Sequence, residues 1–226
     1  MMIRIGMLMF EGMTQLDLTG PFEVFSRFPD TTVYLVAKAS DPVKSDRGLT
    51  IIPNTSFKNC PENLSVLFVP GGPGVSGVLK DIETLDFVRS RGNAEYITSV
   101  CTGSIILAAC GLLTGYKATT HWLSLPLLKR FDVVVEGARV LIDRNRITGG
   151  GVTSGIDFAL TLASVLFDAS VAQEIQLLIE YDPHPPFDTG HPDSAGESLV
   201  RKVTTARAEA QHKRLEEINR FLSGQS

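Results

Sequence analysis

Hydrophobic and polar positions along the chain follow two alternating rhythms. Residues 3–10 read as an apolar run, the pattern of a strand buried on both faces, and 33–39, 66–69 and 96–100 read as further strands, the last two buried. Between them the period lengthens to that of a helix. Pro21 suits a first helical position and predicts a short helix over 21–28, leaving Asp17 in an exit loop over 11–20. Further helices are predicted over 82–91 and 104–109. Ile156, Leu160, Ala163 and Phe167 recur at helical spacing, with Ser154 and Asp157 resembling a capping box at that helix's start. Residues 42–57 carry the turn signals and β-branched residues of a hairpin-like excursion, and 117–120 and 133–142 read as strands. Residues 146–148 lead into Gly149-Gly150-Gly151. Residues 181–196 are rich in Pro, Asp and Gly, a surface loop. A last amphipathic helix over about 199–222 sets Leu199, Val203, Ala210, Ile218 and Leu222 on its apolar side, with His212-Lys213-Arg214 as a solvated face. Strands alternating with helices predict an α/β fold, a mostly parallel sheet sandwiched by helices, in one domain over 1–226.

Composition narrows the function classes. The 226 residues are 43% hydrophobic, with a net charge of −4. That length buries a full core without disulfides or metals, and the mild acidity argues against a nucleic-acid or anionic-membrane partner. Three unevenly spaced cysteines make no disulfide framework, which points to a reducing, cytoplasmic setting. The first apolar run is cut off by Glu11, too short for a signal segment or membrane span.

Ligands of open α/β sheets bind outside the carboxyl ends of the strands. There the loops carry Asp17, Gly71-Gly72 and Cys101. Cys101 stands between a strand and a helix N-terminus, the place of a nucleophile elbow. Crowding at such a turn demands small residues two places either side, and Ser99 and Gly103 supply them. A helix N-terminus also favours a thiolate. A buried structural cysteine is the bland alternative; it suits Cys110, while Cys60 is an ordinary loop residue. Gly71 and Gly72 read as backbone amides lining the thiol's pocket. Gly150 precedes the 154–167 helix within a run of glycines, as backbone that must approach something closely, and its segment, with Val152, is a further candidate for contact at the site. His121 is either a structural residue beside Trp122 or a group that approaches the thiol. Two other signals carry little. Gly72-Pro73-Gly74-Val75-Ser76-Gly77 fits a dinucleotide fingerprint, but Pro73 stiffens it and no acidic residue ends the next strand. His184 and His191, near Asp182, Asp188 and Asp193, fit no compact zinc spacing.

Asp17-Leu18-Thr19-Gly20-Pro21, Pro70-Gly71-Gly72, Ser99-Val100-Cys101-Thr102-Gly103, Ala118-Thr119-Thr120-His121-Trp122 and Gly149-Gly150-Gly151-Val152-Thr153 resemble the PfpI superfamily. Its fold is similar to that of class I glutamine amidotransferases, flavodoxin-like with a nucleophile elbow. The match runs in consistent order from about residue 3 to about 222. An aspartate in the first loop, a Cys-Thr-Gly elbow and the C-terminal helix resemble the isocyanide hydratase branch. Peptidase-like members carry a histidine after the cysteine, where Thr102 stands; deglycase-like members carry a glutamate in the first loop, where Asp17 stands.

The resemblance implies a hydro-lyase type of carbon–oxygen lyase that converts an isocyanide and water into an N-substituted formamide through a thioimidate on Cys101. Asp17 would deliver the proton, and Thr102 would hydrogen-bond substrate or water. Gly72, Gly150, Val152 and His121 are the candidate substrate-binding residues. Such chemistry requires no cofactor or metal, and the resemblance implies a homodimer acting on a small molecule. Two rival readings are a sensing domain like those of AraC-type regulators and a deglycase-like or glyoxalase-like enzyme. The first needs a sizeable DNA-binding region, whereas one helix and a short tail follow Leu199.

Overall fold

The computed structural model describes residues 2–224. The first half of the chain runs β1 (Ile3–Leu8), α1 (Gln15–Phe25), β2 (Thr31–Ala37), β3 (Val43–Lys44), β4 (Thr50–Ile51), β5 (Thr55–Ser56), β6 (Val66–Val69), α2 (Val75–Val78), α3 (Ile82–Ser90), β7 (Tyr96–Val100) and α4 (Gly103–Ala109). The second half holds β8 (Lys117–Ala118), a 3-10 turn at Trp122–Ser124, α5 (Leu125–Leu128), β9 (Val134–Val135), β10 (Val140–Asp143), β11 (Arg146–Gly149), α6 (Ser154–Leu166), α7 (Ala169–Leu178), α8 (Pro192–Ala195) and α9 (Glu197–Leu222).

Seven strands form the main sheet in the order β10-β11-β7-β6-β1-β2-β5. Every pairing in it is parallel except β10 with β11. The apolar runs explain the centre: all four residues of β6 are buried, as are the last four of β1 and of β7. Helices pack in two groups, α1 with α6 and α7, and α4 with α2, α3 and α5. Phe68 of β6 meets Phe25 of α1 and Phe158 of α6 with ring centroids 5.8 and 5.6 Å apart. The α/β sandwich expected from the alternating pattern is the fold observed.

Several local expectations are corrected. α1 begins at Gln15, so Pro21 lies inside it and Asp17 is in its first turn instead of a loop. Pro21 lacks the N–H that would bond the Asp17 carbonyl. Gly20 and Pro21 are nonetheless held helical by packing, for a Cβ on Gly155 of α6 would stand only 2.9 Å from Pro21 Cδ. The hairpin of 42–57 is just β3 with β4, while β5 joins the main sheet beside β2. Thr153 precedes α6 without a side-chain cap bond; Ser154 lies within the helix and donates to the Gly151 carbonyl, and Asp157 pairs with Arg139, so no capping box forms. The loop over 181–196 contains α8. No helix among the described residues is long and apolar enough to cross a membrane.

Candidate active site

The turn from β7 into α4 is built on Cys101, whose φ of +53° lies in the left-handed region, a costly place for a residue with a Cβ. Three other described non-glycine residues share that conformation, Asp30, Arg144 and Glu180, and all are exposed. Cys101 alone of the four is buried. Its backbone is held from both sides: its N–H donates to the Gly149 carbonyl at 3.0 Å, and its carbonyl accepts from Thr120 Oγ1 at 2.8 Å and Ser104 Oγ at 3.3 Å. The small residues expected around an elbow are required by contact. A Cβ on Gly103 would stand 2.2 Å from the Val69 carbonyl oxygen.

Opposite the thiol lies Asp17, fully buried. Thr14 N–H donates to the Gly71 carbonyl, which ties the start of α1 to the loop after β6. The Gly71 N–H in turn donates to Asp17 Oδ2 at 3.0 Å, and the Gly72 N–H donates to Thr102 Oγ1 at 2.9 Å. Gly71 must be glycine here, since a Cβ would lie 2.4 Å from Thr102 N and 2.9 Å from Asp17 Oδ2. Asp17 Oδ1 is buried without a hydrogen-bond partner among the described residues.

Burial pushes the Asp17 carboxyl up to about 7, and Asp46 adds to the shift, against opposing hydrogen bonds from Cys101 and Gly71. Burial likewise pushes the Cys101 thiol well above its usual range; the charge of Asp17 adds to this, while the Thr102 N–H and hydroxyl oppose it. The Thr102 amide at the helix N-terminus acts in the direction expected of a helix terminus, toward the thiolate. Cys101 is 6% exposed, and desolvation outweighs the amides. Cys101 and Asp17 together resist carrying two negative charges.

Thus Cys101, Asp17, Thr102 and Gly72 come together. His121, Gly150 and Val152 line an adjoining groove of 1210 Å³, with Leu16, Thr120 and Ile156 in its walls. Cys101, Asp17 and Gly72 do not line that groove, and it meets the site through Thr120. The Gly150 N–H is occupied by the Arg139 carbonyl at 2.9 Å, so it is not free to hold the sulfur. His121 caps the 3-10 turn, its Nδ1 accepting from Leu123 N–H at 3.3 Å. Burial, followed by the charges of Arg214 and Arg207, keeps its pKa below the usual range. The same side chain lines the groove. In the distal loop, His184 and His191 pair with Asp182 and Asp193, and among the described residues no group of three or more His, Cys, Asp or Glu side chains forms a metal site.

Sequence reasoning missed two charged groups. Asp46, from the β3–β4 turn, is near enough to bear on Asp17. Arg214 is not on a solvated face: Nη2 donates to the Gly72 carbonyl at 3.3 Å and Nη1 to Ser124 Oγ at 3.4 Å. The signal for it was available, because Arg207 and Arg214 fall in register with Val203, Ala210 and Ile218 on the apolar stripe.

The sequence profile of the DJ-1/PfpI family matches residues 3–165. The chain belongs to the DJ-1/PfpI family. It is 50% identical to isonitrile hydratase of Pseudomonas putida over 201 residues, 88% of each chain. A THiJ/PfpI family protein from Pseudomonas syringae superposes with a TM-score of 0.94 at 45% identity, covering 96% of this chain and 91% of that one. Sequence similarity extends to a regulator as well. The HTH-type transcriptional regulator GbdR of Pseudomonas aeruginosa is 29% identical over 70% of this chain but only 45% of its own length.

Proposed function

We propose that this member of the family is an isocyanide hydratase of the hydro-lyase type, with Cys101 as nucleophile and Asp17 as proton carrier. The observation that carries the reading is a buried cysteine held at positive φ against a buried carboxyl whose proton is retained to about pH 7. The 50% identity to a named isonitrile hydratase supports the choice of substrate.

The chemistry balances with the groups present. With one proton shared between Cys101 and Asp17, sulfur attacks the terminal carbon of R–N≡C, and the shared proton goes to that carbon. The product is the thioimidate R–N=CH–S–Cys101, with Asp17 ionised. Asp17 then takes a proton from water as hydroxide adds to the carbon, and that proton passes to nitrogen. Collapse of R–NH–CH(OH)–S–Cys101 returns the hydroxyl proton to Asp17, forms the carbonyl and expels the sulfur. The formamide R–NH–CHO leaves, and the enzyme regains its single shared proton. Thr102 and Gly71 position the two reacting side chains.

The test is to incubate the purified protein with an aryl or alkyl isocyanide and follow loss of isocyanide and appearance of formamide. Intact mass should reveal an adduct equal to the isocyanide, absent in Cys101→Ala. Binding of the isocyanide without turnover would sink the hydratase reading and favour a sensing role.

A further inference from the structure

We infer that Arg214 of α9 is a positioning residue that draws the negative charge of the Cys101–Asp17 pair onto sulfur, acting through the Gly72 carbonyl and the Thr102 hydroxyl. The inference deepens the proposed function and rests on Cys101 as its nucleophile.

Arg214 is half-buried yet forms no ion pair among those identified in the described residues. Among the described residues its guanidinium bonds only neutral oxygens, Gly72 O and Ser124 Oγ, and its buried Nε has no partner. A guanidinium so placed loses hydration without a carboxylate in return. The group whose charge bears on it is Cys101, which offsets part of the cost of its burial.

The helix is fixed so that this side chain reaches back over the elbow. One turn on, Glu217, 6% exposed, pairs with Lys80 beyond α2 at 2.8 Å. Asn219 accepts from Arg130 at 3.2 Å. Ser124 Oγ is turned toward Gln211 Oε1, which it donates to at 3.3 Å, so its lone pairs face Arg214.

Gly72 and Thr102 form a reciprocal pair: the Gly72 N–H donates to Thr102 Oγ1, and that hydroxyl's single proton has the Gly72 carbonyl at 3.3 Å as one acceptor. The sulfur competes for the same proton. Arg214 takes the Gly72 carbonyl with a charged donor, and a charge-assisted bond is stronger than a neutral one. Both bonds coexist on the two lone pairs of that oxygen, and the charged donor makes it a weaker acceptor for the hydroxyl, which favours the hydroxyl proton turning toward sulfur. The other charged groups facing this region cannot substitute. Asp17 and Asp46 are negative, His121 is held neutral with Nδ1 engaged, and Arg207 is exposed on the turns before Arg214.

The test reads thiol reactivity and not hydration, so its failure is distinct from failure of the substrate assignment. Alkylation by iodoacetamide is followed by peptide mapping from pH 6 to 10, with Cys110 as internal reference. Arg214→Met should slow Cys101 alkylation roughly tenfold at pH 7 and move its profile up by about one unit, leaving Cys110 unchanged. Arg214→Lys should recover most of the rate, since it keeps the charge. Arg214→Gln keeps a donor for the Gly72 carbonyl but no charge, and it should be slow like Met; it serves if the Met variant does not fold. A folded Met or Gln variant with the parental Cys101 profile overturns the inference, and so does equal slowing of Cys101 and Cys110.

Discussion

Replacing Asp17 by Asn should shift the balance of stability toward the variant as the pH rises. Asp17 is fully buried and holds its proton to about pH 7, against 3.8 for a free side chain. The shift of roughly three units, at about 1.4 kcal/mol per unit, amounts to about 4 kcal/mol. Its sign follows from which state binds the proton more tightly. Here it is the folded state, so the stability that protonated Asp17 contributes is complete below about pH 4. It declines as the pH rises and is gone above about 7. Asn does not titrate. Its Oδ1 can still accept from Gly71 N–H, while its amide nitrogen needs a partner where Asp17 Oδ1 has none. That penalty, about 1–3 kcal/mol, is the same at every pH.

The pH-dependent part is therefore the decisive one. Guanidinium unfolding at pH 4, 5.5, 7 and 8 should show the stability of Asp17→Asn relative to the parent rising by about 4 kcal/mol across the series, from a deficit at pH 4. For a chain of this size that corresponds to roughly 8–16 °C in Tm. Because Asp17 and Cys101 titrate as a pair, the comparison is repeated in Cys101→Ala. Burial is the leading cause of the shift, so the growth should persist without the sulfur. Parallel stability curves for parent and variant would refute the reasoning, and growth that vanishes in Cys101→Ala would assign the shift to the thiol instead of desolvation.

The same Asp17→Asn protein should lose roughly a hundredfold or more in isocyanide turnover, measured by formamide release, and Cys101→Ala should lose all of it. Gly71→Ala, whose Cβ would meet backbone at Thr102, should cost about 1–3 kcal/mol by denaturant unfolding and lower turnover far more than stability; unaltered turnover would show that the Gly71–Asp17 contact is dispensable. A homodimer is expected because Leu177 and Leu178, adjacent at the end of α7, are 83% and 71% exposed, apolar surface that a second copy could cover; light scattering that gave the mass of a single chain at micromolar concentration would contradict it.

How much was legible in the sequence depended on whether the cause was local. Strand β6 is apolar throughout, and β1 and β7 are mostly apolar or β-branched, because both faces are buried along most of their length, so their existence could be read directly. The elbow was equally legible, since a tight strand-to-helix turn imposes small residues at fixed offsets, and Gly103 meets the Val69 carbonyl as the stereochemistry requires. The start of α1 was not legible. Gly20 and Pro21 both disfavour a helix interior, and what overrides them is the fit against α6, where Gly155 makes room for Pro21 and Phe158 packs on Phe25. Nothing near residue 20 in sequence announces a partner near residue 155.

Arg214 shows the same limit in the site itself. Within His212-Lys213-Arg214 it looks like one more solvated charge, and two of the three are indeed exposed. Only its register on the stripe from Val203 to Ile218 separates it from its neighbours, and register says which side of α9 it occupies, not what that side covers. The destination comes from the Glu217–Lys80 and Asn219–Arg130 contacts that lay α9 against distant segments of the chain. Asp17, Cys101 and Arg214 each sit on a different helix or turn, and each was set there by packing remote from it. The placement of Cys101 and Asp17 could be read from motifs, because the elbow and the Gly71 approach are steric necessities. The charge that biases the pair could not, because it enters from the last helix through a glycine carbonyl that any sequence at position 72 would also present.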